Sequence, residues 1–167
     1  MLSRALTRTS DSRLDALGPE SVRVGAPVAR DTARAMSQEN VEIMRRVIER
    51  WNRGDLEGVL ALFSADVECF PAAGQPESQS FRGRDAFAEY AKGWLDAFDT
   101  YLLEASEYLD LGECVVVLGR VVSRGRQSGA GVSADDAWLY RLRDGQVVEY
   151  RECGTKAEAL EAVGVSE

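Results

Sequence analysis

Histidine is absent from all 167 residues, and that absence decides most of what this chain can do chemically. A Ser-His-Asp triad, a Cys-His pair and a zinc site of the His/Cys type are all unavailable. Any proton must be moved by a carboxylate, a tyrosine, a lysine or a cysteine. Groups of those types recur at strand spacing near the C-terminus: Asp136, Trp138 and Tyr140 form one set, and Tyr150, Glu152 and Gly154 a second. Residues two apart share a face of a strand, so each set can look into one cavity. Arg120 and Val122 make a third such set on an otherwise apolar strand. Arg120 set against Asp136 or Glu152, with walls from Trp138 and Tyr150, would hold a partly desolvated carboxylate, whose raised pKa would let it act as a base near neutral pH. The competing reading is a structural ion pair between Arg120 and Glu152 across the sheet.

Other chemistry is excluded or bland. Cys69, Cys114 and Cys153 are odd in number and far apart, which favours free buried thiols in a reducing compartment over a disulfide framework. No metal or cofactor is expected. The formal net charge of −8 and pI near 4.7 argue against a nucleic-acid partner, since phosphate binding needs a basic face. No apolar run approaches the roughly 20 residues of a membrane span, and no secretory signal is evident. No membrane partner is expected, and the default location is cytoplasmic.

The elements that must position these groups follow from periodicity. Residues 1–35 carry six Arg against four acids, with helix-breaking Gly18, Pro19, Gly25 and Pro27, and are expected to be a disordered leader or the product of a mis-assigned start. One domain is expected over 36–167. Ser37 is placed to cap a helix on which Val41, Met44, Val47, Ile48 and Trp51 share a face. Asn52-Arg53-Gly54 ends it, and Asp55 caps a second helix carrying Leu56, Val59, Leu60, Leu62 and Phe63. A strand, Val67–Phe70, stops at Pro71, and 72–80 is a loop. Phe87, Tyr90, Ala91, Trp94, Leu95 and Phe98 predict a third helix, their aromatic stripe more easily read as core than as a ligand clamp. Four strands follow, 101–111, 114–124, 132–143 and 146–153, with Asp144-Gly145 a two-residue hairpin signal. Thr155-Lys156-Ala157-Glu158 opens a last short helix as a capping box.

Asn52-Arg53-Gly54-Asp55, Ala65-Asp66-Val67-Glu68, Phe81-Arg82-Gly83-Arg84-Asp85 and Leu142-Arg143-Asp144-Gly145-Gln146-Val147-Val148-Glu149 stand in an order and spacing that resembles the SnoaL-like branch of the nuclear transport factor 2-like superfamily. The resemblance covers about Met36 to Gly164. It implies an α+β fold, a cone-shaped barrel of curved antiparallel sheet covered on its concave face by three helices, with a short C-terminal helix. It also implies a small-molecule pocket and a homodimer. By analogy with the family's isomerases, Phe70 falls where a general-base Asp stands, Val47 where an oxyanion-hole Tyr stands and Trp138 where a protonated Asp stands, so that mechanism does not transfer. If Phe70 faces inward, so does Glu68. The candidate site is then Glu152 and Asp136 as acid/base groups, with Phe70, Glu68, Arg120, Trp138 and Tyr150 binding the ligand. Two functions fit: an isomerase, cyclase or hydratase working on an apolar oxygenated ligand, or a non-catalytic dimeric binding or scaffold module.

Overall fold

A helical corner and a clamp at its end set the frame. In the computed structural model, which describes residues 26–73 and 79–165, α1 runs Ala26–Asn52. Ile43, Met44, Val47 and Ile48 are buried, while Glu42, Arg45, Arg46 and Glu49 on the opposite face are exposed, as an amphipathic stripe requires. The helix begins upstream of the expected cap. Ser37 lies within it and its hydroxyl donates instead to the Asp110 carboxylate. Residues 29–36 are exposed, so this extension needs no apolar stripe, and periodicity could not announce it. The expectation for residues 1–25 lies outside the described residues.

At the corner, Gly54 adopts φ 74°, the left-handed geometry that ends helices. The Asp55 side chain accepts from the Gly58 amide at 2.9 Å and starts α2, Leu56–Leu60. The helix is shorter than its apolar pattern suggested, because Phe63 opens β1, Phe63–Phe70. Asn52 acts as more than a terminator. Its amide donates to the Leu103 carbonyl and accepts from the Leu103 N–H, both at 2.9 Å, so a side chain stands in for a neighbouring strand.

After β2, Phe81–Arg82, and α3, Arg84–Ala97, come the four long strands: β3, Phe98–Leu111; β4, Cys114–Gly125; β5, Gly131–Arg143; and β6, Gln146–Glu152. They pair as the expected antiparallel meander. Asp144 and Gly145 both take positive φ, 51° and 76°, the geometry of a type I′ turn. The full order is β2-β1-β6-β5-β4-β3. Two expectations need correction. β1 lies parallel to β6, so the sheet is mixed, and the sheet is open rather than closed into a barrel, ending at β2 and β3. With two residues, β2 offers too little backbone to bridge to β3.

Helices α1 and α3 cover the concave face. Trp138, Tyr140, Val115 and Val117 point into that core, whereas Cys114, Val116, Ala137 and Leu139 form a second cluster on the convex side. There Ala159 of α4, Lys156–Val163, packs on them. The Thr155 hydroxyl accepts from the Glu158 amide at 3.2 Å, the capping bond that the sequence predicts. No helix among the described residues is long and apolar enough to cross a membrane.

Two outcomes follow from these contacts. Asn52→Ala strands the polar backbone of the buried Leu103, and should lower stability by about 1–3 kcal/mol in a denaturant melt. Because residues 29–36 are exposed, a chain beginning at Met36 should melt within about 2 °C of the full chain. A larger drop by calorimetry would place the upstream residues in the folded unit.

Candidate functional site

Alternation along β5 and β6 brings Trp138, Tyr140, Tyr150 and Glu152 to one place. Trp138 stands opposite Glu152 in register, and Tyr140 opposite Tyr150, so all four share the concave face. Helix α1 adds Val47 and Trp51, α3 adds Tyr90 and Trp94, and β3 adds Tyr101, around a cavity of about 30 Å³. The rings touch one another. Trp94 lies 5.4 Å from Tyr101, Trp51 6.0 Å from Tyr101 and Tyr140 5.3 Å from Tyr150, between centroids, the spacing that aromatic pairs prefer.

Among the described residues, Glu152 is the only charged one lining this cavity. The Tyr90 and Tyr150 hydroxyls both donate to its Oε1, at 2.8 and 2.7 Å. Its Oε2 accepts from the Ala72 amide at 3.2 Å. The Tyr90 ring in turn meets Trp94 edge to face, with 6.3 Å between centroids. Burial, and second to it the charge of Glu152, pushes the phenols of Tyr90, Tyr101, Tyr140 and Tyr150 well above their ordinary pKa. All four are neutral at physiological pH. The Trp51 indole Nε1 is buried without a hydrogen-bond partner among the described residues.

Asp136 does not line the cavity. Its Oδ1 accepts from the Ala137 and Gly154 amides at 2.8 and 3.1 Å. Burial, the opposing effect of the Ala137 bond and the nearby Glu152 charge leave its pKa raised on balance. These bonds tie β5 to the residues that follow β6.

Three sequence-derived candidates lie elsewhere. Arg120 is not set against Asp136 or Glu152. It sits three residues from Val117, the partner of Trp138, and therefore on the opposite face, paired with the Asp135 carboxylate at 3.2 Å. Phe70 and Glu68 also face away from the cavity. Cys69 pairs with Tyr150 and is fully buried, which turns its neighbours outward. Phe70 lies 4.0 Å from the Arg151 guanidinium, and Glu68 is exposed, 3.8 Å from Arg82. Cys69 is a small buried residue whose thiol is pushed up to about 12 by burial and then by Glu152, far from nucleophilic.

Sequence reasoning read Trp51, Tyr90 and Trp94 as core, because a core stripe and a cavity wall have the same helical period. Tyr90 and Trp94 stand one turn apart on α3, and that spacing was the available signal. Among the described residues no group of three or more Cys, Asp or Glu is arranged to hold a metal.

The model of the SnoaL-like domain matches residues 44–150, ending two residues before Glu152. No curated protein sequence matches the chain. Among solved structures, a nuclear transport factor 2-like protein of unknown function from Burkholderia pseudomallei is 23% identical, with a TM-score of 0.65 over 74% of this chain and 95% of that one. TerC, co-crystallised with polyporic acid, is 19% identical, with a TM-score of 0.64 over 75% and 98%. A Catenulispora acidiphila protein with a ketosteroid isomerase-like fold, in complex with trimethylamine, is 14% identical, with a TM-score of 0.61 over 75% and 94%. These likenesses establish the shared fold, and the match over 44–150 establishes the family: the chain belongs to the SnoaL-like family.

Proposed function

We propose that the chain binds a small molecule in the aromatic cavity, and that Glu152 is the group that takes a hydrogen bond or a proton from it. The observation that supports this reading is a hydrogen-bonding carboxylate, Glu152, set among aromatic and aliphatic side chains in the lining of this cavity. In the enzymatic form of the proposal, Glu152 relays a proton in an isomerase-, cyclase- or hydratase-type reaction on an apolar oxygenated substrate. The solved relatives were captured with an acid in one case and an amine in another, so the fold by itself selects no ligand. A specific observation favours the second form, binding without turnover: Glu152 accepts hydrogen bonds from Ala72, Tyr90 and Tyr150, so its lone pairs are engaged before a ligand arrives.

We further propose a homodimer. Val132 is 54% exposed on β5, and together with Val122 and Thr100 it lines a shallow depression at that end of the sheet. Light scattering at micromolar concentration should give twice the chain mass; a monomer would remove this part of the reading.

Glu152→Gln separates structure from function. Arg120 lies on the other face, and the new amide can keep its oxygen on Ala72 while the tyrosine hydroxyls turn to accept. Stability in a denaturant melt should therefore fall by no more than about 1–2 kcal/mol. Ligand affinity per folded molecule, and any turnover, should fall at least about tenfold, the loss of one charge-assisted hydrogen bond. A variant that binds as well as the wild type would remove Glu152 from the site.

A further inference from the structure

The part of the cavity wall built by the last turn of α1 carries a donor with no acceptor. We propose that Trp51 is a ligand-recognition residue, its indole N–H donating to a carbonyl oxygen of the bound molecule, an inference that rests on the cavity being a small-molecule pocket. Trp51 lines the cavity, and its Nε1 is buried with no hydrogen-bond partner among the described residues. An indole nitrogen only donates, so it cannot rotate into another role as a hydroxyl can. Leaving such a donor buried and unpaired is destabilising, and the great majority of buried polar groups in folded proteins are paired. Phenylalanine would form the same wall without that cost. The nitrogen therefore matches an acceptor brought by a ligand.

The next residue in the chain fixes where this donor stands. The Asn52 amide donates to the Leu103 carbonyl and accepts from the Leu103 N–H, both at 2.9 Å, which locks the end of α1 onto β3. Tyr101 lies two residues before Leu103 and so on the same face of β3. Its ring meets Trp51 edge to face at 6.0 Å, and Trp94 of α3 closes on it at 5.4 Å, between centroids. A donor on a frayed helix end would turn to water. One clamped to a strand and packed against a ring is already in place when a ligand arrives, so less ordering is left for binding to impose.

The groups around Trp51 narrow the acceptor. Tyr101 and Tyr140 line the same cavity, and burial, with the Glu152 charge second, raises both phenols above their ordinary range. Their hydroxyls keep their protons at physiological pH and remain able to donate. A carbonyl oxygen has two lone pairs and no proton to place, so it takes the bond from Trp51 and a second from a hydroxyl at once. Trp94 and Trp138, also in the lining, supply ring surface for the carbon that carries it. The size agrees with a compact group: about 30 Å³ is about two to three times the room that one water needs in the same measure.

Acetone and isobutene share a shape and differ in the oxygen, and the pair tests this on the full-length protein. The readout is nuclear magnetic resonance of the indole N–H groups of the three tryptophans, each assigned through its own side chain in isotopically labelled protein. Acetone should move the Trp51 proton downfield and saturably, as a new hydrogen bond does; isobutene should leave it in place. In Trp51→Phe the affinity for acetone, followed by the two remaining indoles, should fall at least about fivefold, the loss of one buried hydrogen bond, with that for isobutene changed less than about twofold. Saturable binding of acetone with the Trp51 proton unmoved would overturn the inference and leave the pocket standing, since the N–H would then point at the Tyr101 ring or at water. Equal weakening of both probes in Trp51→Phe would also overturn it, by making Trp51 a wall and no donor. Saturation by isobutene alone would remove the carbonyl and keep the pocket. Binding of neither probe would overturn both. If Trp51→Phe does not fold, the wild-type comparison of the two probes decides alone.

Discussion

The Glu152 carboxylate is where three parts of the chain are joined. Tyr90 reaches it from α3, Tyr150 from its own strand, and the Ala72 amide from the segment that leaves β1. β1 and β6 are joined by their parallel ladder, whereas α3 meets this face of the sheet through apolar packing, which sets distance but not direction. The carboxylate supplies direction. Two phenols converging on one oxygen fix how α3 sits over β6, and the bond to Ala72 fixes where the chain goes after Pro71.

The phenols around this carboxylate are shifted by two causes of unequal size. Burial is the larger and the Glu152 charge the second, and both raise Tyr101 and Tyr140 above the ordinary phenol range. The rings therefore stay neutral, and they serve the cavity as walls and hydrogen-bond donors and not as bases.

How much of this was legible in the sequence depends on whether the signal was local. Hairpins and caps were readable because a few adjacent residues decide them: Asp144-Gly145 turns β5 into β6, and Thr155 caps α4. Glu152 was readable too, because two-residue alternation with Tyr150 needs no partner strand. Arg120 was misplaced because alternation within β4 cannot say which parity points inward; the pairing of Val117 with Trp138 decides that, across the sheet. The same holds for β1. Its parallel register with β6, shifting between Phe63 and Glu68, put Cys69 rather than Phe70 on the cavity side, and no residue near Phe70 encodes that register. The upstream part of α1 was invisible for the opposite reason, since an exposed helix carries no apolar period.

The two carboxylates that sequence reasoning grouped together show how burial divides roles. Asp136 and Glu152 lie on the same concave face, yet the Asp136 Oδ1 is bonded to backbone amides, while the Glu152 Oε1 is bonded to hydroxyls at the cavity edge. Backbone amides cannot turn to accept, so the oxygen that receives them is committed to structure. Hydroxyls can exchange donation for acceptance at the cost of a rotation, so the oxygen that receives them can give one up to a ligand. Asp136 therefore holds β5 to the turn after β6, and Glu152 joins β6 to α3. This division was present in no single stretch of sequence, because it comes from the pairing of β5 with β6 and the placement of α3 above them.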